Sequence, residues 1–355
     1  MVDIREYKNG DEKEIIQLFN KVFNSNRKEE HWNWQFMENS AGKSVIVVAE
    51  DDSKIVGQCT LLPTTMVVKG EEVLAGQSID TMISEDFRGK GIHGELANKS
   101  YEIGVENNIQ FRFGFPSQMA LRGLLGGIGG SLVTEIPLFT NYYRLDNILL
   151  NVVKIKFLAK ILSIPLHGLI KFIYKEQKIK IKEKYIFKEI EEFDEEFDEL
   201  WDKVKADSPI MTKRDSKFLN WRIKNHPDID YKTFGAYLDN ELVGYIITKT
   251  EKRNIRNNPN IRLGSMVDIM GINEDVIAAL YFKVKEYFKS QNTDLVVTWA
   301  SESMQYRGLL ARLGFAKTRS TIPFVVKNLV ENKELEETIA DERNWYIMPI
   351  ESDFY

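Results

Sequence analysis

The residues Arg88-Gly89-Lys90-Gly91 place two cations and two glycines within four positions. An apolar run, "IDTMI", precedes them, and helical spacing of apolar residues follows from Ile92. A helix N-terminus leaves backbone N–H groups without partners and carries partial positive charge. Glycine lets a bulky anion approach these groups closely, and the two cations add full charges. The spacing therefore predicts a phosphate or pyrophosphate site at a strand-to-helix junction, with a solvated basic turn as the alternative.

The P-loop motif and the usual spacings of metal ligands are absent from the sequence. No GxxxxGK[ST] motif is present. The four histidines form no HxxxH or HExxH pair, and Cys59 is the only cysteine. The sequence therefore predicts no metal site and no disulfide framework.

The composition of the whole chain limits the class of protein. The 355 residues are 43% hydrophobic and 28% charged, which is typical of globular domains with buried cores. The formal net charge of -5 argues against a dedicated nucleic-acid-binding protein. The polar N-terminus does not resemble a signal peptide, so we expect a cytoplasmic protein.

Two parts of the chain are similar to each other. Residues 31–58 and 218–245 align without a gap at a separation of 187 positions. Identical residues occupy matched positions: Asn33-Trp34 and Asn220-Trp221, Ala49 and Ala236, Val56-Gly57 and Val243-Gly244. Stretches from Met119 and Met304, and from Ser78 and Met266, match at nearly the same separation. The recurrence indicates two copies of one domain, and it predicts core packing for the two recurring tryptophans.

Periodicity gives the order of elements within a copy. A strand is followed by two helices, three strands, a helix, a strand, a short helix and a final strand. This order predicts an α/β fold (α+β, with a mixed sheet). We therefore expect a first domain over 1–142, a basic and apolar helical connector over 143–185, a second domain over 186–328 and a C-terminal strand over 329–355.

The run Arg88-Gly89-Lys90-Gly91-Ile92-His93 resembles the signature of the GNAT superfamily of acyl-CoA-dependent N-acyltransferases, (Arg/Gln)-x-x-Gly-x-(Gly/Ala) at the start of the central helix. His93 stands where the family usually has a small residue, and Gly94 follows it. "FRFGFPSQMALRGLLGGIGG" resembles the family's second motif, a strand, a bend and a short helix before glycine. The tandem arrangement resembles bacterial two-domain members of the superfamily.

The resemblance implies a co-substrate and a set of residues that bind it. The co-substrate is acetyl-CoA, with no metal, and its pyrophosphate would lie on the loop. The implied contacts are Arg88, Gly89, Lys90, Gly91, Ile92, His93 and Gly94, with Gln118 at the bend of the second motif. The family stabilises the oxyanion with a backbone N–H of the preceding strand, at Met82 and Ile83 here. Leu125 occupies the position of the tyrosine that usually protonates the leaving thiolate.

Three side chains are candidates for catalysis. Asp80 lies two residues before Met82, on the same face of the strand, and is a candidate general base. A structural hydrogen bond is the other interpretation, since Asp268 recurs in the second copy. Ser117, at the bend, is a candidate for contacting pantetheine or a water. His93 is either a base or, more simply, part of the phosphate site.

The second copy lacks the glycine-rich junction. It reads "INEDVIAALYFKV" there, and Glu274 and Asp275 would repel a pyrophosphate at a helix N-terminus. We therefore expect a degenerate second domain that serves as scaffold and as one wall of the acceptor cleft.

The connector is apolar and basic together. From Arg144 to Lys184 it holds ten Lys or Arg residues and three acids. Lys154, Lys156 and Lys160 interrupt the apolar run, which argues against a membrane-spanning helix. The residues 148–184 are therefore interpreted either as a helical strap packed across the two domains or as an interfacial helix that contacts anionic lipid.

The predicted function is transfer of an acetyl or other acyl group from acetyl-CoA to a primary amine of a small molecule or peptide. Nucleic acid is not an expected partner. Two alternatives stay open: a Fem-type aminoacyltransferase, and a catalytically inactive acyl-CoA-binding or assembly module. The intact loop of the first copy favours CoA over aminoacyl-tRNA, while Leu125 keeps the inactive module open.

Overall fold

A computed structural model describes residues 2–206, 208–255, 258–302, 304 and 306–353. The first copy contains the following elements: β1 (Asp3–Glu6), α1 (Glu12–Phe23), α2 (Glu29–Phe36), β2 (Val45–Asp51), β3 (Lys54–Val68), β4 (Glu71–Ile83), α3 (Ile92–Glu106), β5 (Ile109–Gly114), α4 (Gln118–Gly123) and β6 (Ser131–Tyr142). Two helices follow: α5 (Asp146–Val153) and α6 (Lys156–Ile173).

The second copy repeats this order with small additions. Its elements are β7 (Ile186–Ile190), α7 (Glu195–Val204), β8 (Ile210–Thr212), α8 (Ser216–Leu219), β9 (Lys232–Leu238), β10 (Glu241–Ile255), β11 (Asn258–Gly271), α9 (Glu274–Ser290), β12 (Leu295–Trp299), α10 (Arg307–Arg312) and β13 (Ala316–Asn328). The chain continues into α11 (Lys333–Ala340). The expected mixed α/β class is confirmed.

The contacts divide the chain into two compact units that do not coincide with the two copies. The first unit contains residues 1–135, 209–228 and 322–344. The second unit contains residues 136–208, 229–321 and 345–355. The expected boundaries at 142, 186 and 328 therefore differ from the units that the chain forms.

The first unit is a mixed sheet with helices on both faces. Its strands pair in the order β1-β2-β3-β4-β5-β13, and β8 pairs with β3. The β4–β5 pair is parallel and the others are antiparallel. Alternation along β2 sends Val45 and Val47 into a core with α3, and Ile46 and Val48 into a core with α1 and α2. One strand thus contributes to both hydrophobic layers.

The second unit repeats this arrangement. Its strands pair in the order β6-β12-β11-β10-β9-β7, and β11–β12 is its parallel pair. Helix α9 is buried along much of its length, including Val276, Leu280, Tyr281, Val284 and Phe288. The central helix of each copy therefore packs on its own sheet.

The last strand of each copy pairs outside the unit formed by the rest of that copy. The end of β13, Val325–Asn328, pairs antiparallel with β5. The end of β6, Leu138–Tyr142, pairs antiparallel with β12. This exchange is the reason that the boundaries expected from the sequence fail.

The expected C-terminal strand is wrong for the described residues 329–353. Asn332 caps α11 by accepting a hydrogen bond from the Leu335 N–H at 3.0 Å, and Leu335 and Ile339 face the core at helical spacing. Short 3-10 turns follow at Glu342–Asn344 and Pro349–Glu351, and Trp345, Ile347 and Met348 are buried between them. Pro349 favours the second turn because proline cannot donate a hydrogen bond to a neighbouring strand. The four-residue spacing of Leu335 and Ile339 favours a helix over a strand.

Candidate functional site

Strand β4 bends at Asp80 and leaves β5 just beyond its middle. The β4–β5 pairing covers Leu74 to Gln77. Asp80 has a positive φ of 48°, and the register with β3 shifts between Gln58 and Thr60. An irregularity of this kind is a β-bulge, which redirects the strand. The edge of β4 from Ser78 to Ile83 is thereby separated from the ladder to β5.

The direction of the backbone N–H groups on this edge follows from one hydrogen bond. The Ser84 N–H donates to the Val56 oxygen of β3 at 2.8 Å. Since successive N–H groups of a strand point to opposite sides, the Met82 N–H points toward β3 and the Ile83 N–H points toward the open edge. Of the two expected oxyanion donors, Ile83 is therefore the one with a suitable orientation.

The loop 84–91 ends in an uncapped helix. Gly89 and Gly91 have positive φ angles of 77° and 84°, which favour glycine. A Cβ added at either position would meet nothing within 4 Å, so open space lies in front of both. Gly91 is the N-cap of α3 and provides no side-chain hydrogen bond. The backbone N–H groups of residues 89–93 donate to no partner in the described structure.

The two cations border this space. Arg88 Nε donates to the Ile83 oxygen at 3.3 Å, on the open edge of β4. Lys90 Nζ lies 4.5 Å from the centre of the Phe87 ring. Ile92 is buried and anchors the helix, whereas a Cβ at Gly94 would also meet open space. Backbone donors, the N-terminus of α3 and two cations thus border this open space, and such an arrangement generally attracts an anion.

The matching junction in the second copy is closed. Only residues 272–273 separate β11 from α9, where the first copy has residues 84–91. The Asn273 side chain caps α9 by accepting from the Val276 N–H at 3.0 Å. Glu274 pairs with Arg312, and Asp275 accepts hydrogen bonds from the Lys182 N–H and the Tyr185 hydroxyl. Side chains of the protein therefore occupy the place of an anion in this copy.

Asp80 forms a buried ion pair with Arg27. Its Oδ2 pairs with Arg27 Nη1, and Arg27 Nη2 donates to Oδ1 at 3.3 Å. Phe19 stacks against the guanidinium, with its ring centre 3.5 Å from Cζ. The matching residue of the second copy, Asp268, is also buried and accepts from the Tyr245 hydroxyl at 2.8 Å. Both aspartates therefore have structural partners, and sequence reasoning missed Arg27.

His93 lies beside the second motif. A Cβ added at Gly123 of α4 would lie 3.8 Å from its ring. Burial lowers the pKa of His93, and the charge of Arg112 lowers it further. Arg112 itself has no exposed surface, and its guanidinium nitrogens make no hydrogen bond in the described structure. The imidazole is therefore neutral near pH 7.

These shifts predict a loss of stability in acid. Burial is the largest cause of a lowered pKa at His31, His93 and His167. Below the ordinary value of 6.5 the unfolded chain binds more protons than the folded one, so the free energy of unfolding falls as the pH falls. We expect the melting temperature to decrease from about pH 8 to about pH 5.5, over the range in which histidine titrates. His93→Asn should weaken this dependence, and an unchanged slope in that variant would contradict the assignment.

The second motif forms a short helix with its N-terminus at the surface. Ser117 is the N-cap of α4, and its Oγ accepts from the Ala120 N–H at 3.3 Å. Gln118 and Leu125 are both exposed. A π-helical turn at Leu124–Ile128 then leads into Gly129, which has a φ of 70°. Ser117 is thus engaged in capping, and the leucine at the tyrosine position is accessible.

Trp34 and Trp221 pack against each other in the first unit. Their rings stack at 5.4 Å, and each indole N–H donates to the backbone oxygen of the other residue, at 2.7 and 2.9 Å. Both side chains are buried. The expectation of a role in the core is confirmed.

Comparisons with known proteins agree with this geometry. Residues 3–126 match the family model of the acetyltransferase (GNAT) domain. No curated protein matches the chain. A GCN5-related N-acetyltransferase from Anabaena variabilis is similar with a TM-score of 0.65 and 12% identity, over 93% of this chain and 73% of that one.

Two further solved structures are similar. A conserved protein from Enterococcus faecalis, described as a probable N-acyltransferase, has a TM-score of 0.64 and 10% identity, over 93% of this chain and 73% of that one. An N-myristoyltransferase from Saccharomyces cerevisiae, solved with myristoyl-CoA and inhibitors, has a TM-score of 0.59 and 12% identity, over 92% of this chain and 80% of that one. At these identities the likeness concerns the fold. Together with the family model and the uncapped glycine-rich junction, it places residues 3–126 in the GNAT superfamily of acetyltransferases.

Proposed function

We propose that this protein is an N-acyltransferase that transfers the acetyl group of acetyl-CoA to a primary amine of a small molecule or peptide. The observation that carries the proposal is the difference between the two matching helix N-termini. At α3 the glycines leave open space and free N–H groups, whereas at α9 an asparagine cap and two acids fill the same place. The first copy thus binds the co-substrate and the second does not.

Bound acetyl-CoA would supply an activated thioester. The N–H groups of residues 89–93 and the side chains of Arg88 and Lys90 would hold its pyrophosphate. The Ile83 N–H, directed to the open edge of β4, would stabilise negative charge that develops on the thioester carbonyl oxygen. Ser117 and Gln118, at the exposed start of α4, would contact the pantetheine or an ordered water. Asp80 would act as a positioning residue, since its ion pair with Arg27 fixes the bulge.

A second candidate function is binding of acyl-CoA without catalysis. Leu125 stands at the position of the usual thiolate acid, and the carboxylate of Asp80 is engaged by Arg27. The leucine removes the usual proton donor, and the ion pair engages the carboxylate that could accept a proton. The two functions share the same co-substrate site and differ only in turnover.

One experiment separates these functions. Calorimetric titration of the full chain with acetyl-CoA should give saturable binding, and an assay for released thiol with a panel of amines should then give turnover with at least one amine. Binding without turnover on any amine would favour the binding module. Absence of acetyl-CoA binding would overturn the proposed function.

A further inference from the structure

Helix α6 has its polarity reversed relative to an ordinary surface helix. Among its described side chains Ala159 and Ser163 are buried, and His167 beside them lies with Nε2 3.3 Å from the Tyr142 oxygen. Helix α7 of the same unit shows the usual arrangement, since it buries Phe197, Leu200 and Trp201. Helix α6 therefore packs on its unit through small and polar side chains.

The opposite face of α6 is apolar and exposed. Phe157 and Ile164 are each 71% exposed, and Phe172 is 80% exposed. The face continues through Leu158, Ile161 and Leu162, which are also exposed. These positions follow three- and four-residue spacing and form a continuous stripe along the helix. An exposed apolar patch of this size marks an interaction surface.

Exposed lysines lie beside this stripe and beyond the end of the helix. Lys160 and Lys171 lie on one flank of α6, and Lys175, Lys178 and Lys180 continue the exposed basic run beyond its end. These five lysines form no ion pair with any described residue. In a chain with a net charge of -5, this segment alone carries seven more cations than acids from Arg144 to Lys184. Lys160 and Lys171 thus border the stripe with uncompensated positive charge, and the segment that follows the helix adds more.

The positive charge beside the stripe distinguishes among the possible binding partners of this face of α6. A second copy of this chain would bring an identical basic face, and the two clusters would repel each other. Membrane crossing requires a longer apolar helix, and no described helix has the length and apolarity to cross a membrane. An anionic bilayer supplies both an apolar interior for the stripe and negative headgroups for the lysines.

We propose that α6 lies in the plane of an anionic membrane surface, with Phe157, Ile164 and Phe172 inserted below the headgroups and Lys160 and Lys171 among them. The ligand is the lipid surface itself and not a single lipid molecule. Such a contact brings the acyltransferase to the membrane whatever its acceptor is. This proposal does not depend on the proposed function, because it rests on a different surface of the chain.

Flotation of the full chain with vesicles tests the proposal. We expect binding to equimolar phosphatidylglycerol and phosphatidylcholine, little binding to phosphatidylcholine alone, and a decrease with added salt. Lys160→Glu/Lys171→Glu should lower the partition coefficient at least about tenfold, given the attraction of each lysine near an anionic surface. Phe157→Ser/Phe172→Ser should lower it by a similar factor or more without removing the salt dependence. A Phe172→Trp variant should show a blue-shifted emission when vesicles are added.

Matched variants on α1 serve as controls. Phe23 is an exposed aromatic and Lys21 an exposed lysine of that helix, so Phe23→Ser/Lys21→Glu should leave binding unchanged. Circular dichroism and melting temperature confirm that each variant folds. Absence of binding to anionic vesicles at low salt would overturn the proposal. A dimer that Phe157→Ser/Phe172→Ser converts to monomer would overturn it in favour of self-association.

Discussion

Gly91→Val is expected to abolish the binding of acetyl-CoA while the protein stays folded. The φ of Gly91 is 84° and the space in front of it is open, so a branched side chain would project into the proposed pyrophosphate position. It would also push residue 91 toward negative φ and turn the first N–H groups of α3 away. Hydrogen bonds to a charged group are worth about 1.5–3 kcal/mol each, so loss of two should weaken binding at least about a hundredfold. Isothermal titration calorimetry measures the change.

Gly70→Val is the matched control for this variant. Gly70 lies in the hairpin between β3 and β4 with a φ of 90° and open space around it. Its replacement therefore causes similar backbone strain, about 1–2 kcal/mol, without touching the loop. Acetyl-CoA should bind this variant as it binds the original chain. If folded Gly91→Val bound acetyl-CoA as tightly as the original chain, loop 84–91 would not be the pyrophosphate site.

Asp80→Asn is expected to destabilise the fold strongly. Removal of one partner from a buried ion pair typically costs 3–5 kcal/mol, roughly, because the remaining charge stays buried without compensation. Here that charge is the Arg27 guanidinium, which is almost fully buried with Asp80. Asparagine tolerates the positive φ of residue 80, so backbone strain does not explain the loss. Urea unfolding measures the change in the free energy of unfolding.

A second substitution distinguishes a positioning role from a catalytic one. The double variant Arg27→Met/Asp80→Asn removes both charges and should recover most of the lost stability. If Asp80 positions the bulge, the folded double variant should retain turnover; if it is the general base, turnover should be lost even though stability returns. Asp52→Asn is the control for the substitution, since Asp52 is exposed and also has a positive φ. It should change stability by less than about 0.5 kcal/mol.

The sequence predicted the local elements of the site well because short-range signals determine them. The glycine-rich junction and the helical spacing after it predicted a helix from Ile92 onward, and α3 spans Ile92–Glu106. The three strands predicted before this helix are present as β2, β3 and β4. The acids that follow the second copy's strand predicted its different N-terminus, where Glu274 and Asp275 now have protein partners.

The features that the sequence did not predict depend on distant partners. The bulge at Asp80 interrupts "IDTMI", whose pattern reads as a regular strand. Its partner Arg27 lies 53 residues earlier, in a polar stretch without a strong pattern. The sequence could not predict the pairing of β5 with β13 either, because a strand's hydrophobic pattern indicates its buried face and not its neighbouring strand. Tertiary packing of the whole chain determines these pairings.

The strand exchange has a consequence for the order in which the protein is made. During synthesis the loop 84–91 and β5 leave the ribosome long before Val325–Asn328, the strand that pairs with β5. The β13-facing edge of β5 therefore stays unpaired until about two hundred more residues have been synthesised. Unpaired strand edges are prone to aggregate. A gene fragment ending at residue 142 would leave that edge open permanently. The residues of the proposed acyl-CoA site thus all come early in the chain, whereas the sheet that carries them is completed late in translation.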